Sequence, residues 1–422
     1  MYIISSRSKI MKNNNLDLSR RNAIKAIALG SASISLPAIG ANNTHIKYDE
    51  EIPFQGLHQA GVITKEQKNA TFIAFDITTE SKQDLKNLFI TITSRIGILT
   101  KNHNVNIPIN RDGLPPEESG LLGRHINPDA LTITVSIGNS LFDGRFNLHD
   151  LKPSYLKEMT SFPNDRLESK WCGGDIILQI CANSPESVIY AVRDLIKHTQ
   201  MFMAPKWKID GFLPSRDLDN NSTPINLFGF KDGTGNAPAD NAQLMEELVW
   251  VNNKGRDKNW CIGGSYQAIR LIRFNLDFWD RPPLEDQEND FGRHKYSGAP
   301  IGKQHEYDSP DYKSDPHGDR ILFNSHIRRA EPRNPDRYTA KLRRRSFSYS
   351  LGVNASGMLD MGLIFVAYQQ NLKTGFIDTQ NRLNGEPLER YIKPFGGGYY
   401  FTLPGVKNNS DYLAKALFVD IS

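Results

Sequence analysis

The sequence predicts an α+β fold made of two similar halves. Three observations predict it. The element order β-α-β-β-α-β can be read once before a polar connector, Leu213-Pro214-Ser215 to Thr223-Pro224, and again after it. Strand segments alternate or run apolar, whereas the segments between them carry helical spacing. The chain also has 422 residues and 39% hydrophobic content, enough for one large unit or a tandem pair with a sizeable core. The element order is that of a ferredoxin-like unit, so the expected halves are residues 50–220 and 221–422, after a leader over 1–41.

In the first half, Thr71 to Ile77 reads as a strand. Ser81 to Thr100 places Leu85, Leu88, Phe89, Ile92 and Ile96 on one helical face. Leu131 to Gly138 alternates Ile133, Val135 and Ile137 with Thr132, Thr134 and Ser136, which predicts a half-buried strand. Asp175 to Cys181 is a more apolar strand, Pro185 to His198 a helix with proline in its first turn, and Trp207 to Phe212 a closing strand. In the second half, Tyr266 to Phe274 is a strand, and Leu276 to Asp280 a helical turn stopped by Pro282 and Pro283. Strands are expected at Arg345 to Leu351, Gly362 to Gln369 and Tyr399 to Leu403, with Thr374 to Leu383 helical. The repeat is one of element order, not of residue identity. Residues 285–320 are polar and rich in Asp, Gly, Pro and His, and read as one long loop. A long loop inside a domain is usually functional or disordered, and this one runs into a histidine-bearing segment.

The net charge of +4 is misleading about partners. Residues 1–41 hold six basic side chains (Arg7, Lys9, Lys12, Arg20, Arg21, Lys25) against Asp17, so the remainder carries −1. No nucleic-acid partner is implied. Ser19-Arg20-Arg21-Asn22-Ala23-Ile24-Lys25 resembles a twin-arginine export signal, although Ala23 stands where a large apolar residue is usual. The apolar stretch from Ala26 to Ile39 is short and broken by Gly30, Ser31, Ser33, Ser35 and Pro37, and small residues offer cleavage near Gly40 or Ala41. A membrane span needs about 20 apolar residues, so the mature chain is expected to have none. An ordinary secretory signal or an amphipathic helix is the alternative, and Met11 serves as a start as well as Met1. Cys172, Cys181 and Cys261 form no CxxC, which argues against an Fe–S cluster or structural zinc. One disulfide among them is open, and Cys181 is expected to be a buried apolar group.

Three groups could carry chemistry. In Gly229-Phe230-Lys231-Asp232-Gly233-Thr234-Gly235-Asn236, glycines permit a tight turn and close approach of the Asp232 backbone to a flat ligand. Alone, the motif is better read as a Gly-rich turn with a solvated aspartate, and it is no phosphate loop. His326, one of ten histidines, lies in Ser325-His326-Ile327-Arg328-Arg329 with Arg333 nearby. Arginines bind carboxylates well, so a histidine beside them suits an axial ligand of haem, whose edge carries two propionates. Arg343-Arg344-Arg345 precedes a strand, where alternation sends neighbours to opposite faces, so only some can enter a pocket. A solvated basic strand end is the plain alternative.

Taken in order, these segments resemble the dye-decolorizing (DyP-type) peroxidase family. Phe228-Gly229-Phe230-Lys231-Asp232-Gly233 is similar to its GxxDG signature, Ser325 to Arg333 to its proximal-histidine segment, and Arg344, 18 residues after His326, to its distal arginine. Further matching pieces are Gly56 to Thr64, Gly263 to Tyr266, Phe291 to Lys295, Gly298 to Gly302, and Leu383-Asn384-Gly385-Glu386 through Tyr399. The twin-arginine leader points within the family to the periplasmic deferrochelatase branch of bacterial ferrous-iron uptake. Glu331 departs from that branch, which tends to have asparagine there.

The resemblance implies duplicated ferredoxin-like units of the dimeric α/β-barrel type, with one haem b per chain in the C-terminal half. It implies a peroxidase that reduces hydrogen peroxide and oxidises organic reductants, and that also releases iron from haem. Asp232 and Arg344 would be catalytic, and His326 the axial iron ligand. Gly233, Thr234, Gly235, Glu331, Pro332, Arg333 and Arg344 would line the cofactor. Glu389 is the expected carboxylate partner of His326. A homodimer, a periplasmic location and iron-uptake partner proteins follow from the same resemblance. A non-enzymatic haem carrier would need the same pocket and stays open at this point.

Overall fold

The computed structural model describes residues 49–105, 116, 118–332 and 341–418. The expected leader over 1–41 and Arg333 lie outside the described residues. Among the described residues, eight longer strands follow one another along the chain: β1 Asn69–Ile77, β2 Thr132–Gly138, β3 Ile176–Ala182, β4 Met203–Phe212, β5 Ser265–Phe274, β6 Phe347–Val353, β7 Leu359–Gln369 and β8 Ile392–Thr402, with a two-residue strand, Arg343–Arg344, laid on β7. Each half orders its four strands as fourth, first, third, second: β4-β1-β3-β2 and β8-β5-β7-β6. That is the ferredoxin-like order the element sequence implied.

The halves join at both edges. Strand β8 pairs with β2 through Tyr400–Gly138 and its neighbours, and β4 meets β6 at Phe212–Ser348. Because β5 also pairs with β7, the eight strands close into an antiparallel ring. Closure leaves no free edge for unwanted pairing.

Helix α1, Lys82–Leu99, starts at Ser81, whose hydroxyl accepts from the Asp84 amide at 3.2 Å. Its expected face, Leu85, Leu88, Phe89, Ile92 and Ile96, is fully buried. It packs with α2, Pro185–Thr199, over the outside of the first-half strands. Along β1, Ile73 and Phe75 join this outer cluster, whereas Phe72 and Ala74 join a second cluster with Ile269, Tyr349, Ile364 and Tyr400. The period-2 alternation therefore feeds two apolar layers.

Two expectations need correction. Strand β2 is buried on both faces, not half-buried. Ring closure and the segment Gln59–Gly61 cover its polar face, with the Thr134 hydroxyl donating to the Ala60 carbonyl at 2.7 Å and Ser136 bonded to Thr402 at 2.8 Å. Residues 285–320 are not one loop, because they begin as helix α3, Leu284–Phe291. Pro283 at its start, Glu285 and Asp286 in its first turn, and Gly292 at φ +81 past its end all favour that helix. Its polar composition hid it from periodicity. All three cysteines are free, so the open disulfide does not form, and burial pushes the Cys181 thiol up to about 11.

Candidate functional site

Among the described residues every helix of the second half is short, and around the cavity lie α3, α4 His326–Ala330 and α5 Asp378–Leu383, the last preceded by a π turn over Lys373–Ile377. The space that longer helices would fill is a cavity of about 1310 Å³. Apolar walls include Ile272 and Phe274 on β5 and Leu363 and Phe365 on β7, whose side chains recur every second residue. Behind one wall lies an aromatic cluster, in which Phe228 stacks on Phe274 at 3.9 Å and Phe230 on Phe291 at 4.0 Å.

Asp232 sits on a turn closed from within. The Asn226 side chain accepts from the Phe228 and Phe230 amides at 3.0 and 3.3 Å, and the Asp232 amide donates to the Pro224 carbonyl at 2.8 Å. Gly229 has φ +83, and a Cβ there would sit 2.7 Å from Lys295; Gly233 has φ +135. Both positions need glycine. The turn projects the Asp232 carboxylate at Arg344, whose Nη1 donates to Oδ1 at 2.8 Å. All three arginines border the cavity, so alternation does not separate them; their partners do. Arg344 faces the cavity pair, while Arg343 and Arg345 are buried and bind the Ala237 and Thr64 carbonyls respectively.

His326 opens helix α4. Its Nδ1 lies 2.7 Å from Glu386 Oε2, a carboxylate only 4% exposed. Burial works to lower the imidazole's pKa, but the charge and hydrogen bond of Glu386 outweigh it, so the net direction is up. Nε2 is left to the cavity that His326 lines. The charges of Arg344 and Asp232 reach His326 across that space.

Glu386, not Glu389, is thus the partner of His326. Glu389 instead accepts from the Gly385 amide at 2.9 Å. The two residues lie one 3₁₀ turn apart, and only Glu386 is placed under α4. Arg328 and Arg329, read as carboxylate binders, are used inside the protein. Arg328 donates to Asp315 and to the Ile321 carbonyl at 2.9 and 2.7 Å, and Arg329 to the Asn384 carbonyl at 2.7 Å. Gly233, Thr234, Gly235 and Glu331 line the cavity together with Asp232, His326 and Arg344; Pro332 does not.

Glu306 was not anticipated. It accepts from the Thr234 hydroxyl at 2.9 Å and also from Thr223 and Lys231, so a loop residue grips both flanks of the Asp232 turn. Desolvation opposes its ionisation, but those donors, Lys231 first, hold its carboxyl below the usual range. A lone glutamate in a polar loop carries no sequence signal of this kind. Glu386 did, since it stands in a segment shared with the resembled family.

The site therefore offers one imidazole nitrogen backed by a carboxylate, a carboxylate–guanidinium pair, and apolar walls between. That donor set fits an iron porphyrin: a single axial nitrogen, a flat apolar slot, and polar groups for a small ligand on the metal. It does not fit a bare metal ion, because the described residues hold no group of three or more His, Cys, Asp or Glu able to bind one.

The comparisons agree with the geometry. Residues 59–213 match the family description "Dyp-type peroxidase, N-terminal", and residues 223–407 match "Dyp-type peroxidase, C-terminal". A protein of Escherichia coli O157:H7 named deferrochelatase is 48% identical over 416 residues, spanning 96% of this chain and 98% of that relative. The deferrochelatase of Shigella sonnei is 49% identical over 409 residues, spanning 94% and 96%. Among solved structures, a DyP-type peroxidase from Cellulomonas bogoriensis superposes with a TM-score of 0.77 at 29% identity, covering 87% of this chain and 98% of that one. Ferric DtpA from Streptomyces lividans gives 0.77 at 28% identity, covering 87% and 97%. A cavity that sets a carboxylate-backed histidine against an aspartate–arginine pair, within two matched halves, places this chain in the Dyp-type peroxidase family.

Proposed function

We propose that the chain is an exported peroxidase that holds one haem b in the second-half cavity, reduces hydrogen peroxide there and oxidises organic reductants. The observation that carries this reading is the Asp232–Arg344 pair on the same cavity as His326 and Glu386. His326 Nε2 would bind the iron, and Glu386 would hold the Nδ1 proton, fix the tautomer and strengthen the nitrogen as a donor. When bound, the haem would supply, from iron and porphyrin together, the two electrons that cleavage of the O–O bond consumes. Asp232 would take a proton from one peroxide oxygen and return it to the other, which leaves as water. Arg344 would stabilise the negative charge that develops on that oxygen. Gly233, Thr234, Gly235 and Glu331 would line the cofactor, and Pro332 and Arg333 belong to the same proposed binding set.

The name shared by the E. coli and Shigella relatives motivates a second activity, removal of iron from intact haem. The non-enzymatic carrier reading draws no support from these relatives. Twin-arginine export through Arg20 and Arg21, a periplasmic location, a homodimer and iron-uptake partners complete the proposal. Among the described residues no helix is long and apolar enough to cross a membrane. The test is to load purified protein with hemin and mix it with peroxide in a stopped-flow spectrometer, then add a dye. A fast spectral change followed by dye oxidation is expected; failure to take up hemin, or a loaded protein inert to peroxide, overturns the reading. Iron-free porphyrin recovered without peroxide marks the second activity.

A further inference from the structure

Asn236 closes the GFKDGTGN segment, and nothing above gives it a role. Its side chain meets the backbone of Arg344 twice. Nδ2 donates to the Arg344 carbonyl at 2.9 Å, and Oδ1 accepts from the Arg344 amide at 3.0 Å. One amide thereby satisfies both main-chain groups of one residue, as a neighbouring strand would. The next residue repeats the link from the other side, for Arg343 Nη1 donates to the Ala237 carbonyl at 2.7 Å. These bonds are not needed to close the Asp232 turn, which Asn226 and the Pro224 carbonyl already do. What they join is two segments 108 residues apart, one bearing the carboxylate and the other the guanidinium.

We propose that Asn236 is a positioning residue for the peroxide step, clamping the Arg344 backbone so that the guanidinium is held against Asp232. The inference rests on the acid–base reading of Asp232 and Arg344. The main-chain bonds set the point and direction from which the long arginine reaches Asp232, and the guanidinium–carboxylate bond then holds its tip. The pair then meets incoming peroxide already in register, without reorganisation during the reaction.

The test uses full-length, haem-loaded Asn236→Ala and Asn236→Asp beside Asp232→Asn and the wild type. Asn236→Ala is expected to keep its haem content, to melt somewhat lower because the Arg344 amide and carbonyl lose their partner, and to lose about 10–100-fold in the peroxide rate constant. Fluoride is the second readout, because Arg344 would donate to a fluoride ion on ferric iron; its affinity should fall in parallel. In the haem-free protein, amide exchange over residues 341–347 should quicken. Asn236→Asp keeps the acceptor for the Arg344 amide but sets a carboxylate oxygen against the Arg344 carbonyl, so intermediate losses are expected; this variant also decides the matter if Asn236→Ala folds poorly. Wild-type peroxide rates and fluoride affinity in both Asn236 variants, while Asp232→Asn is impaired, overturn the proposal. If Asp232→Asn is itself unimpaired, the acid–base reading fails instead, and fluoride affinity alone judges the clamp.

Discussion

In the first half of the barrel, helices of 18 and 15 residues lie over the strands, and their inner faces reach zero exposure at Leu85, Leu88, Phe89 and Leu195. In the second half the same strand order is covered by helices of 8, 5 and 6 residues and by the long segment from Gly292 to Ser325. One half buries its sheet with continuous apolar stripes. The other leaves a cavity, and every group assigned to chemistry stands on the short pieces around it: Asp232 on a glycine turn, His326 at a helix start, Glu386 before a 3₁₀ turn, Arg344 on a two-residue strand. The difference teaches that the scaffold is neutral as to function, and that shortening the helical cover on one side turns a core into a site.

Four substitutions sharpen or break that contrast. Asp232→Asn should keep the fold and the haem yet lower peroxide turnover by about 10²–10⁴-fold, the range for a removed proton carrier; turnover assays on the loaded variant check it, and an unchanged rate would take the carboxylate out of the chemistry. Leu88→Ala, in the first half, should cost about 2–5 kcal/mol through a cavity in the packed helix face, read by denaturant melts, with the haem spectrum of the surviving folded protein unaltered. A spectral change there would show that the halves are not independent in role. Glu386→Gln should weaken haem retention by about 10–100-fold and shift the ferric spectrum, because a neutral amide no longer charges the imidazole; hemin titration measures it.

Glu306→Gln should have the smallest effect, about 1–2 kcal/mol from a weakened charged hydrogen-bond set. Its carboxyl is held below the usual range in the folded protein, so the stability it confers is present above the unfolded-state value and lost as pH falls through the lower folded value. The gap between wild type and variant is therefore expected to be full near neutrality and to close in acid. Melts across pH test this, and a gap that widened in acid would reverse the sign.

Legibility in the sequence followed the range of the interaction. Helix α1 and strands β1, β3 and β5 were readable to within two residues, since apolar spacing and capping act within a few positions. Asp232, His326 and Arg344 were readable only as family motifs; taken singly, each had a plain explanation at least as good. Helix α3 was missed because its burial rests on Gln287 and Asp290, not on an apolar stripe. Strand β2 was read as half-buried because nothing local announces that the sheet closes on itself. Glu389 was named and Glu386 was not, because residues three apart look alike in sequence and differ only beneath a particular imidazole.

By itself the chain determined the element order, the doubling of the ferredoxin-like unit and the glycine turn at Gly229 and Gly233, because steric limits on φ and the periodicity of apolar residues act locally. Only the tertiary structure decided that Arg343 and Arg345 are spent on the Ala237 and Thr64 carbonyls, that Glu386 stands behind His326, and that Asn236 grips a backbone 108 residues away. Those choices depend on closing the ring of strands, which sets the face and depth of each side chain through contacts between residues far apart in the chain.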